Sequence, residues 1–365
     1  VAKIALDERK NKYHKNTSDV LVSYISDKTI PNFSKQKSQH QFVLSPKFIL
    51  SLQKISNILM NKTYRHEDKL KAVTSVLASK TSLGTMCHLC RGGESLPAQS
   101  SIQEIIDLCR AVLFPGFYGN DDVNIYNLEY FIGINCGRLH KVLSEQIAAG
   151  MVLDNDCDTT DYAALERDAA TTAAQFIEML PEMRRVLHTD VHATYCGDPA
   201  AVSTEEVIFC YPGLKAIINY RIAHALLTLG VPIIPRMISE IAHSETGIDI
   251  HPGATIGEHF SIDHGTGVVI GATAIIGNNV KLYQGVTLGA KSFDYDEDNN
   301  PIKGIPRHPI IGDNVVIYSN TSVLGRIHIG NNAIIGGNIW VTDDVADNEK
   351  LTQAKADNIL RLKQD

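Results

Sequence analysis

Residues 248–289 read IDIHPGATIGEHFSIDHGTGVVIGATAIIGNNVKLYQGVTLG, and residues 311–341 read IGDNVVIYSNTSVLGRIHIGNNAIIGGNIWV. Aliphatic residues stand at Ile250, Ile256 and Ile262, then at Ile270, Ile276, Leu282 and Leu288, and then at Ile311, Ile317, Val323, Ile329, Ile335 and Val341. Within each run the step is six. A helix repeats every 3.6 residues and a strand every 2, so a strict period of six over this length requires internal repetition. Hexad repetition is the pattern of a parallel β-helix, in which short strands form the flat sides of a triangular prism and each hexad points one aliphatic residue inward. The predicted fold class is therefore α+β, an N-terminal α-helical domain followed by a C-terminal left-handed parallel β-helix.

Two interruptions break the register. Ile262 to Ile270 is eight residues, which places two extra around DHGTG, and Leu288 to Ile311 is 23, which predicts a loop insertion at 290–306. Irregularities in a regular scaffold are where function is usually carried. If successive hexads occupy the three sides in turn, His264 falls at the corner between the third and first sides. Arg307 and His308 fall at the corner between the first and second. Two corners of one prism are too far apart to touch one small substrate, so each site is predicted to form between two chains of a three-fold trimer.

Upstream, apolar residues recur at helical spacing in IQEIIDLCRAVLF, LEYFIGINCGRLHKVLSEQI, YAALERDAATTAAQFIEMLPEMRRVL and GLKAIINYRIAHALLTLG, with a break at PGFYG. Pro232 and Pro235 open a further short helix that leads into the prism. These segments make 101–245 a helical domain and 246–345 the β-helix. Residues 1–100 carry 16 Lys/Arg against 7 Asp/Glu and read as a basic, helical extension, with one apolar-periodic stretch, FILSLQKISNILM. Residues 346–365 read as a helical tail.

The 44% apolar and 21% charged content excludes a disordered chain or a small disulfide scaffold. The longest apolar run is broken by Arg221 and His224, short of the roughly 20 residues a bilayer needs, and no secretory signal opens the chain. Neither membrane nor nucleic acid is an expected partner, and a cytoplasmic location is expected, with organellar targeting left open by the Lys-rich leader. Seven cysteines in no framework spacing suit a reducing compartment, and the lone CHLC at Cys87–Cys90 is at most half a zinc site, so no metal is expected.

Five histidines lie in or beside the prism: His251, His259, His264, His308 and His328. His264 sits at the first irregularity, with Asp249 and Asp263 near enough in sequence to orient an imidazole. A ring held by a carboxylate keeps one tautomer and is stabilised as it takes a proton, which makes a general base near neutral pH. His308 ends the long loop in PRHP, whereas His251 and His328 read as surface or turn residues.

The run GIDIHPGATIGEHFSIDHGTGVVIG, with LYQGVTLGA, RHP, GDPAA and YRIAHAL, resembles serine O-acetyltransferase of the hexapeptide-repeat acyltransferase superfamily, over about Ser101 to Val345. The resemblance implies acetyl transfer from acetyl-CoA to L-serine, the first step of cysteine biosynthesis, by direct attack of the hydroxyl. It implies His264 as base, Asp249 as its carboxylate partner, Asp198 and Asp263 on the substrate ammonium, and Arg307 and His308 at the carboxylate and hydroxyl end. Small residues matching Gly289, Ala290, Ser319 and Gly337 would bond the pantetheine amides of acetyl-CoA. Cysteine, an isostere of serine, is an expected inhibitor, and a homotrimer or dimer of trimers the expected assembly. The tail KLTQAKADNILRLKQD lacks the family's usual Gly-x-Pro-Ala end, so a complex with O-acetylserine sulfhydrylase is not expected. The chain also has Ala272 where many members have Glu, and GAKS where many have GGTG. Alternative readings are another hexapeptide-repeat O-acetyltransferase with a sugar or other hydroxyl acceptor, and a γ-type carbonic anhydrase using the H-x4-H pair His259 and His264.

Overall fold

The computed structural model describes residues 50 and 54 and residues 65–79, 96–119, 122–154, 161–292 and 295–353. The chain divides into two compact units, Val1–Cys87 and His88–Asp365. In the first, residues 65–77 are helical, as are positions 50 and 54 of the apolar-periodic stretch. The CHLC cysteines and the tail from residue 354 lie outside the described residues.

Among the described residues the second unit opens with six helices: α1 (Gln99–Leu113), α2 (Leu128–Asp154), α3 (Tyr162–Gly197), α4 (Thr204–Cys210), α5 (Pro212–Thr228) and α6 (Ile234–Thr246). Their apolar faces, among them Ile102, Leu143, Phe176, Leu187 and Ile217, form one core that continues into the prism. Helix α3 runs ten residues past the end of its predicted periodic stretch and delivers Asp198 as its C-cap. Helix α4 is unforeseen by apolar periodicity, because only Val207 is buried. Its signal is the cap: Ser203 Oγ accepts the Glu206 N–H (3.2 Å), and Glu206 reaches back to the Val202 N–H (2.7 Å).

Fourteen short strands follow among the described residues, all paired in parallel. The first side carries β1 (Asp249–Ile250), β4 (Val269–Ile270), β7 (Thr287–Gly289), β10 (Ser322–Leu324) and β13 (Trp340–Val341). The second carries β2 (Thr255–Ile256), β5 (Ile275–Ile276), β8 (Ile310–Ile311) and β11 (His328–Ile329). The third carries β3 (Ser261–Asp263), β6 (Lys281–Tyr283), β9 (Val316–Ile317), β12 (Ile334–Ile335) and β14 (Lys350–Leu351). The register pairs Ile250 with Ile270, Ile270 with Leu288, Leu288 with Val323 and Val323 with Val341, all buried. Each hexad aliphatic thus stacks on the one a coil away, and full burial of such a side chain contributes about 1.5–3 kcal/mol. The 290–306 insertion leaves the side order unchanged.

The prism extends beyond residue 345. Val345 bridges to Ile329 and Leu351 pairs with Ile335, so a last coil closes with a step of only four from Val341 to Val345. Two of the three corners, second-to-third and third-to-first, are turned by left-handed residues in the described coils. At the second-to-third corner His259, Asn279, Asn314, Asn332 and Asn348 all have φ between 56° and 60°. The asparagine amides form a ladder, Asn279 to Asn314 (2.8 Å), Asn314 to Asn332 (3.1 Å) and Asn332 to Asn348 (3.1 Å). Asparagine is among the few non-glycine residues that adopt this conformation readily.

The helices are fixed to the first coil by a buried ion pair. Asp190 on α3 is fully buried, accepts Arg221 Nε (2.6 Å) and Nη2 (2.9 Å), and accepts the Phe260 N–H (3.0 Å). Arg221 Nη2 also donates to Gly257 O (2.8 Å). At the start of α5 a Cβ on Gly213 would stand 2.2 Å from Ile262 O, so this helix lies directly on β3.

Candidate active site

The site residues divide between two corners. At the third-to-first corner, the two extra residues of DHGTG form a bulge with His264 (φ 57°), Gly265 (φ 87°) and Gly267 (φ 82°) in the left-handed region. This pushes the His264 side chain out of the prism wall, where it is 76% exposed. Its Nε2 lies 3.8 Å from Asp263 Oδ1, which is the carboxylate within ion-pair distance of it among the described residues. Asp249 lies at the start of β1, with no ion pair to His264 within 4.0 Å, and its charge acts on His251.

Asp263 and Asp198 face each other across a lysine. Lys281 Nζ is 3.0 Å from Asp263 Oδ2, donates to Gly197 O (2.7 Å) and sits 4.4 Å above the Tyr283 ring. It thereby ties the end of α3 to the prism wall and brings Asp198 to the His264 corner. Asp198 accepts the Tyr211 hydroxyl (2.6 Å) and the Ala200 N–H (2.8 Å). These bonds, Tyr211 foremost, hold its carboxyl below the usual range, and the tyrosine is pushed up to about 12 by the same bond. Thr194, Asp198, Tyr211, Asp263 and Lys281 line one small cleft. Ser319 and Gly337 stack on this corner, linked by the Asn338 N–H to Ser319 O bond (2.9 Å).

The other half lies at the first-to-second corner. His308 is 6% exposed, and its Nδ1 meets the Thr273 N–H (3.1 Å) and Thr273 Oγ1 (2.8 Å). Burial first, then Arg307, His251 and Arg326, lower its pKa to about 4. Arg307 precedes it, with its backbone N–H on Thr273 Oγ1 (2.9 Å). His251, expected as a surface or turn residue, is a half-buried turn residue beside His308, and its Nδ1 accepts the Gly253 N–H (2.9 Å). Gly289 and Ala290 leave the first side toward this corner. One chain therefore unites Asp198, Asp263 and His264 with Ser319 and Gly337, and separately Arg307 and His308 with Gly289 and Ala290.

Tyr211, Thr273 and Lys281 escape the sequence reading. Thr273 had a usable signal: it stands three residues before Ile276, as His308 stands three before Ile311, so the hexad phase alone stacks the two. His259 and His264 occupy different corners, and His259 takes the same left-handed corner position as the ladder asparagines, its N–H on Thr189 Oγ1 (3.0 Å). Among the described residues no group of three or more His, Cys, Asp and Glu is placed to hold a metal ion. None of the described helices is long and apolar enough to cross a membrane.

A hexad-built parallel prism behind a helical cap, with histidines at its irregular corners, defines an acyltransferase of the hexapeptide-repeat superfamily. No protein-family profile matches the chain. A plasmid-borne serine acetyltransferase of Synechococcus elongatus is 47% identical over 263 residues, covering 71% of this chain and 82% of the relative. The serine acetyltransferase of Bacillus subtilis is 47% identical over 163 residues, 45% of this chain and 71% of the relative. Among solved structures, Entamoeba histolytica serine acetyltransferase 1 in complex with L-cysteine superposes with a TM-score of 0.60 at 38% identity, covering 71% of this chain and 87% of that one. The chain belongs to the serine acetyltransferase family.

Proposed function

We propose that the protein transfers the acetyl group of acetyl-CoA to the hydroxyl of L-serine by direct attack, within a site completed by two chains of a trimer. The observation that carries this reading is the division of opposite charges and of the two histidines between two corners of one prism. Asp198, held ionised by Tyr211, and Asp263, shared with Lys281, offer a net negative half-site to an ammonium group. Arg307 and the His308 N–H offer the opposite half-site to a carboxylate and hydroxyl. In a three-fold trimer a corner of one prism meets a side of the next, which brings the two halves together.

In this arrangement His264 takes the hydroxyl proton as the serine oxygen attacks the thioester carbonyl. The tetrahedral intermediate collapses with cleavage of the C–S bond, and the imidazolium returns the proton to the CoA thiolate. Attack needs base and thioester within a few ångströms of the hydroxyl, a positioning task the paired half-sites perform. Asp249, on the same side of that corner, is the proposed orienter of the base. Ser319 and Gly337 offer nearly bare backbone to the pantetheine amides, with Gly289 and Ala290 supplying the wall from the partner corner.

The test is CoA release with L-serine, D-serine, threonine and homoserine as competing acceptors. The proposal expects L-serine to dominate kcat/KM, and turnover of a sugar hydroxyl in preference to all four would replace it. Cysteine carries the same ammonium and carboxylate and is expected to compete with L-serine. Turnover at low serine that is unchanged by millimolar cysteine would show that these two groups do not dominate recognition.

A further inference from the structure

We propose that Thr273 is a positioning residue that fixes His308 as a neutral imidazole with its proton on Nε2, so that His308 serves the reaction as a hydrogen-bond donor and takes no part in proton transfer. The inference rests on the reading of His308 as part of the active site, and it assigns that residue's chemistry.

The tautomer follows from the donors around the ring. A backbone N–H can only donate, so the Thr273 N–H at 3.1 Å requires a lone pair on Nδ1. The threonine hydroxyl makes the same demand. Its oxygen already accepts two N–H groups, those of Arg307 (2.9 Å) and His308 (3.2 Å), so its own hydrogen is directed at Nδ1, 2.8 Å away. Nδ1 thus receives two donors, and the ring proton must reside on Nε2.

The surroundings hold this arrangement rigid. Arg326 Nη1 donates to Thr273 O (2.6 Å) and to His308 O (2.9 Å), which locks the two backbones together. Beneath the ring, a Cβ on Gly271 would stand 2.0 Å from His308 Cδ2 and 2.2 Å from Nε2, so only glycine lets the imidazole lie there. The charged and titratable groups facing the ring are Arg307 from its own segment, His251 from the end of β1 and Arg326 after β10. All three oppose a second proton, and burial opposes it further. A group so placed is a fixed N–H for a substrate oxygen, whereas His264, exposed and free of such donors to its ring among the described residues, is left as the base.

Histidine C2 hydrogen exchange, followed by mass spectrometry on the full chain without substrate, reads the His308 titration directly. The expected midpoint lies below pH 5 in the wild type, rises by at least one pH unit in Thr273→Val, and stays within half a unit in Thr273→Ser, which keeps the hydroxyl. Unchanged exchange of His224, whose Nδ1 bonds Pro252 O, reports that the fold is retained. In CoA release, Thr273→Val is expected to lower kcat/KM for L-serine about tenfold, the worth of one good hydrogen bond, with Thr273→Ser near wild type. His308→Gln, which retains a neutral N–H donor, is expected to keep at least tenfold more kcat than His308→Ala. A wild-type midpoint near the ordinary value of about 6.5 overturns the assignment, as does one that Thr273→Val leaves unmoved. Equal loss in His308→Gln and His308→Ala overturns the donor role. A titration as expected, with turnover intact in both His308 variants, removes His308 from the site and so overturns the functional reading beneath the proposal, while the tautomer stands.

Discussion

Co-expressing chains that carry His264→Ala with chains that carry His308→Ala tests whether the two corners cooperate across subunits. In one chain these histidines are separated by a whole side of the prism, about five extended residues at about 3.3 Å each, or roughly 16 Å. One amino-acid substrate cannot span that gap. In a cyclic trimer each site takes His264 from one subunit and His308 from the next, so a site survives only where a His308→Ala chain is followed by a His264→Ala chain. Random mixing makes that order hold for about a quarter of all sites, because each of two positions is filled correctly half the time. Trimers purified through two different tags contain both chain types, and each then has one intact site of three, so their activity should be about a third of wild type. His264→Ala alone should lower activity by roughly 10² to 10⁴ as a lost base, and His308→Ala by roughly 10- to 100-fold as a lost buried hydrogen-bond donor, so recovery to a third is visible above both in CoA release. Recovery no greater than that of either parent, in trimers shown to be mixed, would place the whole site in one chain and refute the division of labour between corners.

His264→Ala alone should lower kcat by roughly 10² to 10⁴ while leaving the cooperative unfolding transition in place, since the side chain is 76% exposed; retention of half the wild-type kcat would remove it as the base. Tyr211→Phe removes the hydroxyl that favours ionised Asp198, so the Asp198 pKa should rise toward the ordinary carboxylate range and the ammonium clamp should fail at a higher pH as acid is added. The acid limb of the serine KM profile should therefore move upward in pH, and superimposable profiles would exclude Asp198 from substrate binding. Asp190→Ala leaves the Arg221 guanidinium nearly buried and without its carboxylate, which should destabilise the helical unit against the first coil by about 3–5 kcal/mol in urea unfolding. A loss under about 1 kcal/mol would show that water or another acid already compensates Arg221.

The hexads from Ile250 to Val341 determined the prism, its three sides and the register of every paired strand between them, because a period of six with an inward aliphatic is a local rule that each coil repeats. The same phase by itself puts His264 and His308 on different corners. The last coil escaped that rule, since the four-residue step to Val345 breaks the period and only its bridge to Ile329 shows that the chain still turns. Helix α4 escaped for a related reason: a short helix that buries one residue has no apolar period, and only its Ser203 cap marks it. The contacts that give the site its chemistry were of another kind. Asp198 is brought to His264 by the length of α3 and by Lys281, and His308 is paired with Thr273 from 35 residues away. Such pairs depend on which helix end, loop and coil finally meet in space. Periodicity records which way a side chain points, but the choice of hydrogen-bond partner, and with it a tautomer or an ionisation state, is made only when distant segments pack.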